Sequence, residues 1–156
     1  MATAVASRLY AEHQGAVHDP MRFAGQPVIP RPSDNAIQCA ELVKELAGAP
    51  RTQPDNWKKG MALTPAVVAS LTLGTPIASG WDARGFYPNG NTGQHSGIYA
   101  GVVLDKKSNE VIGFKIIEQY RGLLRIQARE VYFDPAAHGK ASSYLNNGLG
   151  YATIQW

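Results

Sequence analysis

The stretch HSGIYAGVVLDKKSNEVIGFKIIEQY, residues 95–120, decides the fold. Two runs rich in β-branched and aromatic residues, 95–104 and 110–120, are joined by the polar DKKSN, which is the pattern of an antiparallel hairpin. Side chains alternate across a strand, so His95, Gly97, Tyr99 and Gly101 share one face of the first strand, and Ile112, Phe114, Ile116, Glu118 and Tyr120 share one face of the second. A carboxylate set among apolar neighbours is partly buried and needs a partner, and the hairpin offers His95. A four-residue turn, DKKS, pairs Leu104 with Asn109 and brings His95 directly opposite Glu118; a five-residue turn brings it opposite Gln119. Both registers are open at this level, so the histidine's partner is Glu118 or Gln119.

Outward from the hairpin, LLRIQAREVYF (123–133) and GLGYATIQW (148–156) read as further strands, with NNG as a turn before the second. LGTPIAS (73–79) is a strand interrupted at its start by Pro76. Between these lies GWDARGFYPNGNTGQ (80–94), with four glycines and no periodicity, the composition of a functional loop. Its Trp81, Phe86 and Tyr87, with Tyr99 on the His95 face, are candidate walls of a substrate groove. Residues 51–63 read as a loop with a short helix around Trp57, and 64–71 as a proline-led segment. HDP, GQP and IPRPS make residues 1–33 an irregular arm, with a short helix near Val5 to Glu12, ahead of a single domain at 34–156.

SDNAIQCAELVKELAGAP (33–50) is the clearest helix: Asn35 is placed to cap it with Gln38 three residues on, Ala36, Ala40, Val43 and Ala47 form a stripe, and Gly48 and Pro50 stop it. The single cysteine of the chain, Cys39, falls in its first turn. There the helix dipole and unpaired N–H groups favour a thiolate and can hold an oxyanion, although a free cysteine is also commonly just a small buried hydrophobe.

Composition excludes several classes. At 156 residues, 44% apolar and 17% charged, the chain is one globular domain needing no disulfide or metal. The net charge of +3 is scattered, without the basic run and interleaved aromatics of a nucleic-acid binder. No stretch approaches the roughly eighteen apolar residues of a membrane span, so no membrane insertion is expected. His13 and His18 are spaced for no one-face metal pair, NGNTGQ lacks the Lys-Ser/Thr of a phosphate loop, and His138 reads as a surface turn residue.

The ordered set QC at a helix start, Trp57, GTPIA, HSGIY and EQY resembles the CHAP and NlpC-type cell-wall cysteine amidases and peptidases, and most closely small type VI secretion amidase effectors. The resemblance implies an α+β, papain-like fold with the cysteine helix packed on an antiparallel sheet. It implies Cys39 as nucleophile, His95 as base and Glu118 as orienter, with Gln38, Gln119 and Tyr120 as further oxyanion or orienting candidates. CHAP members commonly carry Asn where this chain has Tyr120. The implied activity is cofactor-free, metal-free hydrolysis of an amide bond in peptidoglycan stem peptides. The rival expectations are a phage-type endolysin and a non-catalytic wall-binding module. With no apolar leader in MATAVASRLYAEHQ, such an enzyme is expected to be made in the cytoplasm, to act in the periplasm or wall of a target bacterium after secretion, and to have a cognate immunity protein.

Overall fold

The computed structural model describes residues 16–50, 54–88, 90 and 92–156, so the helix expected near Val5 to Glu12 and His13 lie outside the described residues. The alternating hairpin forms β3 (His95–Leu104) and β4 (Val111–Glu118) at the centre of a six-stranded sheet. The other strands are β1 (Lys58–Ala62), β2 (Pro76–Ser79), β5 (Gln127–Tyr132) and β6 (Tyr151–Gln155). The order is β1-β6-β2-β3-β4-β5, and every neighbouring pair is antiparallel.

Alternation divides the core between the two faces of this sheet. On one, Leu42, Val43 and Ala47 of α1 (Cys39–Ala47) pack with Ile98, Ala100, Ile117 and Ile154. On the other, Val68 of α2 (Pro65–Ser70) packs with Ile77, Tyr99, Phe114, Ile116, Val131 and Tyr151. Thr64 starts α2 by accepting the Val67 N–H on its hydroxyl at 3.2 Å. The described residues thus form an α+β domain, a sheet with one short α-helix on each face.

Three local expectations are corrected. The start of α1 is Gln38, in extended conformation and without a side-chain cap, not an Asn35 capping box. Asn35 instead takes a left-handed conformation in a turn closed by Asn35 N–H to Arg31 O (2.7 Å) and pinned by the Arg31–Asp34 ion pair. Next, 58–62 is a strand, whereas the helical turn near Trp57 spans only Pro54–Asn56. KKGMA lies at the sheet edge with its side chains mostly exposed, so it carries no apolar alternation. Its Gly60 is required because a Cβ there would run into Thr153 Oγ1.

The third correction is the hairpin register. Leu104 pairs with Val111 across a six-residue loop, not with Asn109 or Glu110. Asp105 causes the extension: its carboxylate accepts the Lys107 and Ser108 N–H groups at 2.8 and 2.9 Å, its own N–H reaches Glu110 O at 2.8 Å, and Asn109 turns left-handed. A bulge at Gly101 (φ 124°) then leads into the pairs Tyr99–Ile116 and Ile98–Ile117. Carried on to the end of the strands, this register sets Gly97 opposite Glu118 and His95 opposite Tyr120, so Glu118 is the diagonal neighbour of His95 on the same face.

The segment before α1 is laced to the same end of the sheet. Val17 is buried in the α1 core and bonds Gly74 O at 2.9 Å, and the N–H groups of Gly25 and Ile126 reach Ile126 O and Gln26 O respectively, both at 2.8 Å.

Candidate active site

The Cys39 side chain leaves the first residue of α1, where backbone N–H groups have no helical partner. What holds this helix end in place is Gln119. Its carboxamide donates to Gln38 O and Ile29 O, both at 2.8 Å, and accepts the Ile29 N–H at 2.7 Å. Both of its N–H bonds are therefore spent on the backbone ahead of the helix. The expectation that Gln119 orients the histidine or donates to an oxyanion is overturned, because alternation sends it to the α1 face.

His95 and Glu118 meet across the diagonal, with His95 Nε2 and Glu118 Oε1 2.7 Å apart. Glu118 is fully buried and surrounded by donors: Arg129 Nε at 2.6 Å and Gln127 Nε2 at 2.7 Å on Oε2, and Arg129 Nη2 at 3.0 Å on Oε1. Burial pushes the carboxyl up, but His95 and Arg129 outweigh it and hold the group at about 2, ionised. Arg129 was not foreseen. Its signal was present all the same, since QAREV places Gln127, Arg129 and Val131 on one strand face, and β5 pairs Gln127 with Glu118.

With Nε2 bound to the carboxylate, Nδ1 is the ring nitrogen left for the Cys39 thiol. Burial lowers the imidazole pKa, yet hydrogen bonding and charge from Cys39 and Glu118 raise it to about 9. Burial raises the thiol, yet His95, with Tyr87 assisting, brings it down to about 7. The thiol therefore lies below the imidazole, and near neutrality the proton sits on the ring, giving a thiolate–imidazolium pair. Tyr87 Oη stands 3.5 Å from Sγ. Burial and the neighbouring thiol keep this hydroxyl protonated well above the usual tyrosine range, so it serves the sulfur as a donor.

A cavity of about 330 Å³ opens over the thiol. Cys39, His95 and Gln38 form its floor; Thr92, Gln94, Tyr120, Arg121, Tyr144 and Leu145 form its walls. Tyr120 sets its ring edge-on to His95, centroids 6.1 Å apart. A second recess of about 40 Å³, lined in part by Tyr87, Ala40 and Gly90, lies across the thiol.

The groove walls foreseen from sequence are otherwise displaced. Tyr99 is buried under α2 with its hydroxyl donating to Val68 O at 2.7 Å, because four residues along β3 the sheet face is already covered. Tyr87 is a core residue whose hydroxyl alone reaches the site. Trp81 bonds Ala78 O at 2.8 Å and lines a different depression, and Phe86 packs beneath Arg84 and near Lys58. Tyr144 and Leu145 take their place from a segment with no periodic signal. His138 stacks on Tyr132 at 4.0 Å, away from the thiol. Among the described residues, no group of three or more His, Cys, Asp or Glu is placed to hold a metal, and no helix is long and apolar enough to cross a membrane.

An α+β domain that sets a half-buried thiol at a helix start beside a carboxylate-held imidazole is equipped for acyl transfer through sulfur. The chain belongs to the domesticated amidase effector 2 family, whose family model matches residues 5–146. No curated protein and no solved structure matches it.

Proposed function

We propose that the protein is a cysteine amidase that hydrolyses an amide bond in peptidoglycan stem peptides, with a papain-like arrangement of Cys39, His95 and Glu118. The observation that carries this reading is the linked thiol, imidazole and buried carboxylate at the floor of an open cavity, in a chain of an amidase effector family.

The Cys39 thiolate attacks the amide carbonyl carbon, and the carbonyl π electrons move to oxygen. The Cys39 backbone N–H stabilises that oxyanion, with the Gln38 carboxamide on the cavity floor beside it. Collapse of the intermediate breaks the C–N bond as His95 Nδ1 gives its proton to the leaving amine. The neutral imidazole then takes a proton from water, whose hydroxide attacks the thioester; collapse breaks the C–S bond and restores the thiolate beside the imidazolium, and the acid product leaves as a carboxylate after giving its proton to solvent. Glu118 keeps the ring oriented through Nε2 and balances its charge during the imidazolium stages. Arg129 in turn keeps Glu118 ionised.

The amidase effector description of the family supports peptidoglycan as the substrate; action on the wall of another bacterium and a cognate immunity protein in the producer are part of this proposal. The test is mass spectrometry of fragments released from purified sacculi. Fragments that end in a new stem-peptide carboxylate and a matching new amine are expected, whereas fragments differing only by cleavage of the glycan would overturn the reading.

A further inference from the structure

We propose that Arg121 makes the thiol cavity a carboxylate-reading subsite, so that the peptide taken there carries a free α- or side-chain carboxylate next to the bond that is cut. This rests on the reading that the cavity receives a wall peptide.

Charge is the first ground. The site's own charges cancel in pairs, thiolate with imidazolium and Glu118 with Arg129. Among the described residues, Arg121 is then the one cationic side chain left on the lining, and no Asp or Glu lines the cavity. The other arginines among the described residues are engaged. Arg31, Arg84 and Arg129 pair with carboxylates, Arg22 bonds His18 O and covers Phe23, and Arg125 bonds Gly25 O. Arg121 has no such partner among them, which leaves its planar fork of donors open to a carboxylate.

Position is the second ground. Arg121 follows Tyr120 in a tight turn closed by Leu123 N–H to Tyr120 O at 3.1 Å, with Gly122 at φ 98° supplying the conformation that the turn needs. Its backbone is thereby fixed at the end of β4, two residues beyond the Gln119 anchor, while the side chain stays free at the rim.

Gln94 is the third. Its Oε1 is buried with no hydrogen-bond partner among the described residues, while one of its two Nε2 N–H groups goes to Gly90 O. Gln94 lines the cavity, and a turn of its carboxamide would bring the unpaired acceptor within reach of a peptide N–H. A cation at the rim, an unpaired acceptor on a lining residue and two half-exposed tyrosines, Tyr120 and Tyr144, together fit an amino-acid residue that presents an amide N–H and a carboxylate.

The test uses the Cys39→Ala variant, so that binding is read without turnover. Its affinity is measured by calorimetry for synthetic wall stem tetrapeptides and for versions in which each carboxylate in turn is a carboxamide. One amidation is expected to weaken binding about tenfold in Cys39→Ala, and by less than twofold in Cys39→Ala/Arg121→Met, with Arg121→Lys in between. Equal sensitivity to amidation with and without Arg121, or no binding of any peptide by a folded Cys39→Ala variant, overturns the proposal. Carboxylate-dependent binding through Arg121 without hydrolysis by the wild type would instead uphold it and overturn the amidase reading.

Discussion

Replacing Glu118 by Gln keeps the shape of the side chain, removes its charge and turns one of its two acceptor oxygens into a donor NH2 that faces other donors. In the folded protein that charge meets His95 at 2.7 Å and Arg129 at 2.6 and 3.0 Å, in a position with no exposure. The substitution leaves the Arg129 guanidinium without its counter-charge. Breaking such a pair from one side costs about 3 kcal/mol, the low end of the usual range because 24% of the Arg129 side chain reaches solvent. For a chain of this size that is roughly 6 to 12 °C in melting temperature. The catalytic effect is separate. Glu118 is one of the two groups that raise His95 to about 9, so without it the imidazolium and the thiolate it sustains are both less favoured. By analogy with triad acids, the rate should fall about 10²- to 10⁴-fold. Initial rates on isolated peptidoglycan, measured at a temperature where the variant is still folded by circular dichroism, read this directly. A folded Glu118→Gln enzyme within threefold of the wild-type rate would refute the orienting role.

The pH–rate profile should be a bell with an acid limb near 7, where the Cys39 thiol loses its proton, and an alkaline limb near 9, where His95 loses its own; a single rising limb near 9 would contradict the ion pair. Because the folded-state pKa of Glu118 lies at about 2, below its ordinary 4.5, its contribution to stability is present above pH about 4.5 and is lost as the pH falls toward 2; melting curves across that window should show a smaller acid loss in Glu118→Gln than in the wild type. Gln119→Ala removes three hydrogen bonds that hold the backbone ahead of Cys39, and should lower stability by about 1–3 kcal/mol while slowing turnover far less than Glu118→Gln. Tyr99→Phe should retain full activity and lose only about 1 kcal/mol in denaturant titration, since its hydroxyl bonds Val68 O beneath α2.

How far such a site can be read from sequence depends on what each residue's signal is. The β3–β4 hairpin was legible because two-residue alternation is a property of the chain itself, and Glu118 stood out because a carboxylate among Phe114 and Ile116 cannot be left unpaired. The register was not legible: it turns on the Asp105 carboxylate gathering loop N–H groups and on a bulge at Gly101, neither of which has a periodic signature. His95 and Glu118 met anyway, because the diagonal neighbour shares a face with the direct one. Asn35 and Gln38 matched a capping box in spacing, but the Arg31–Asp34 pair drew Asn35 into a turn first. β1 was hidden because an exposed edge strand needs no apolar alternation. The cavity walls were hidden because Tyr144 and Leu145 come from an irregular segment, which Arg129 fastens through Leu145 O and Asn146 Oδ1, both at 3.1 Å.

The most direct test of the central claim, that Cys39 is the nucleophile, is the digestion of purified sacculi by Cys39→Ala, followed by mass spectrometry of the soluble fragments. The thiol is half-buried and Tyr87 Oη approaches it only at 3.5 Å, so the variant should fold and melt close to the wild type. The account predicts that this folded variant releases no stem-peptide fragments; release at the wild-type rate would contradict it.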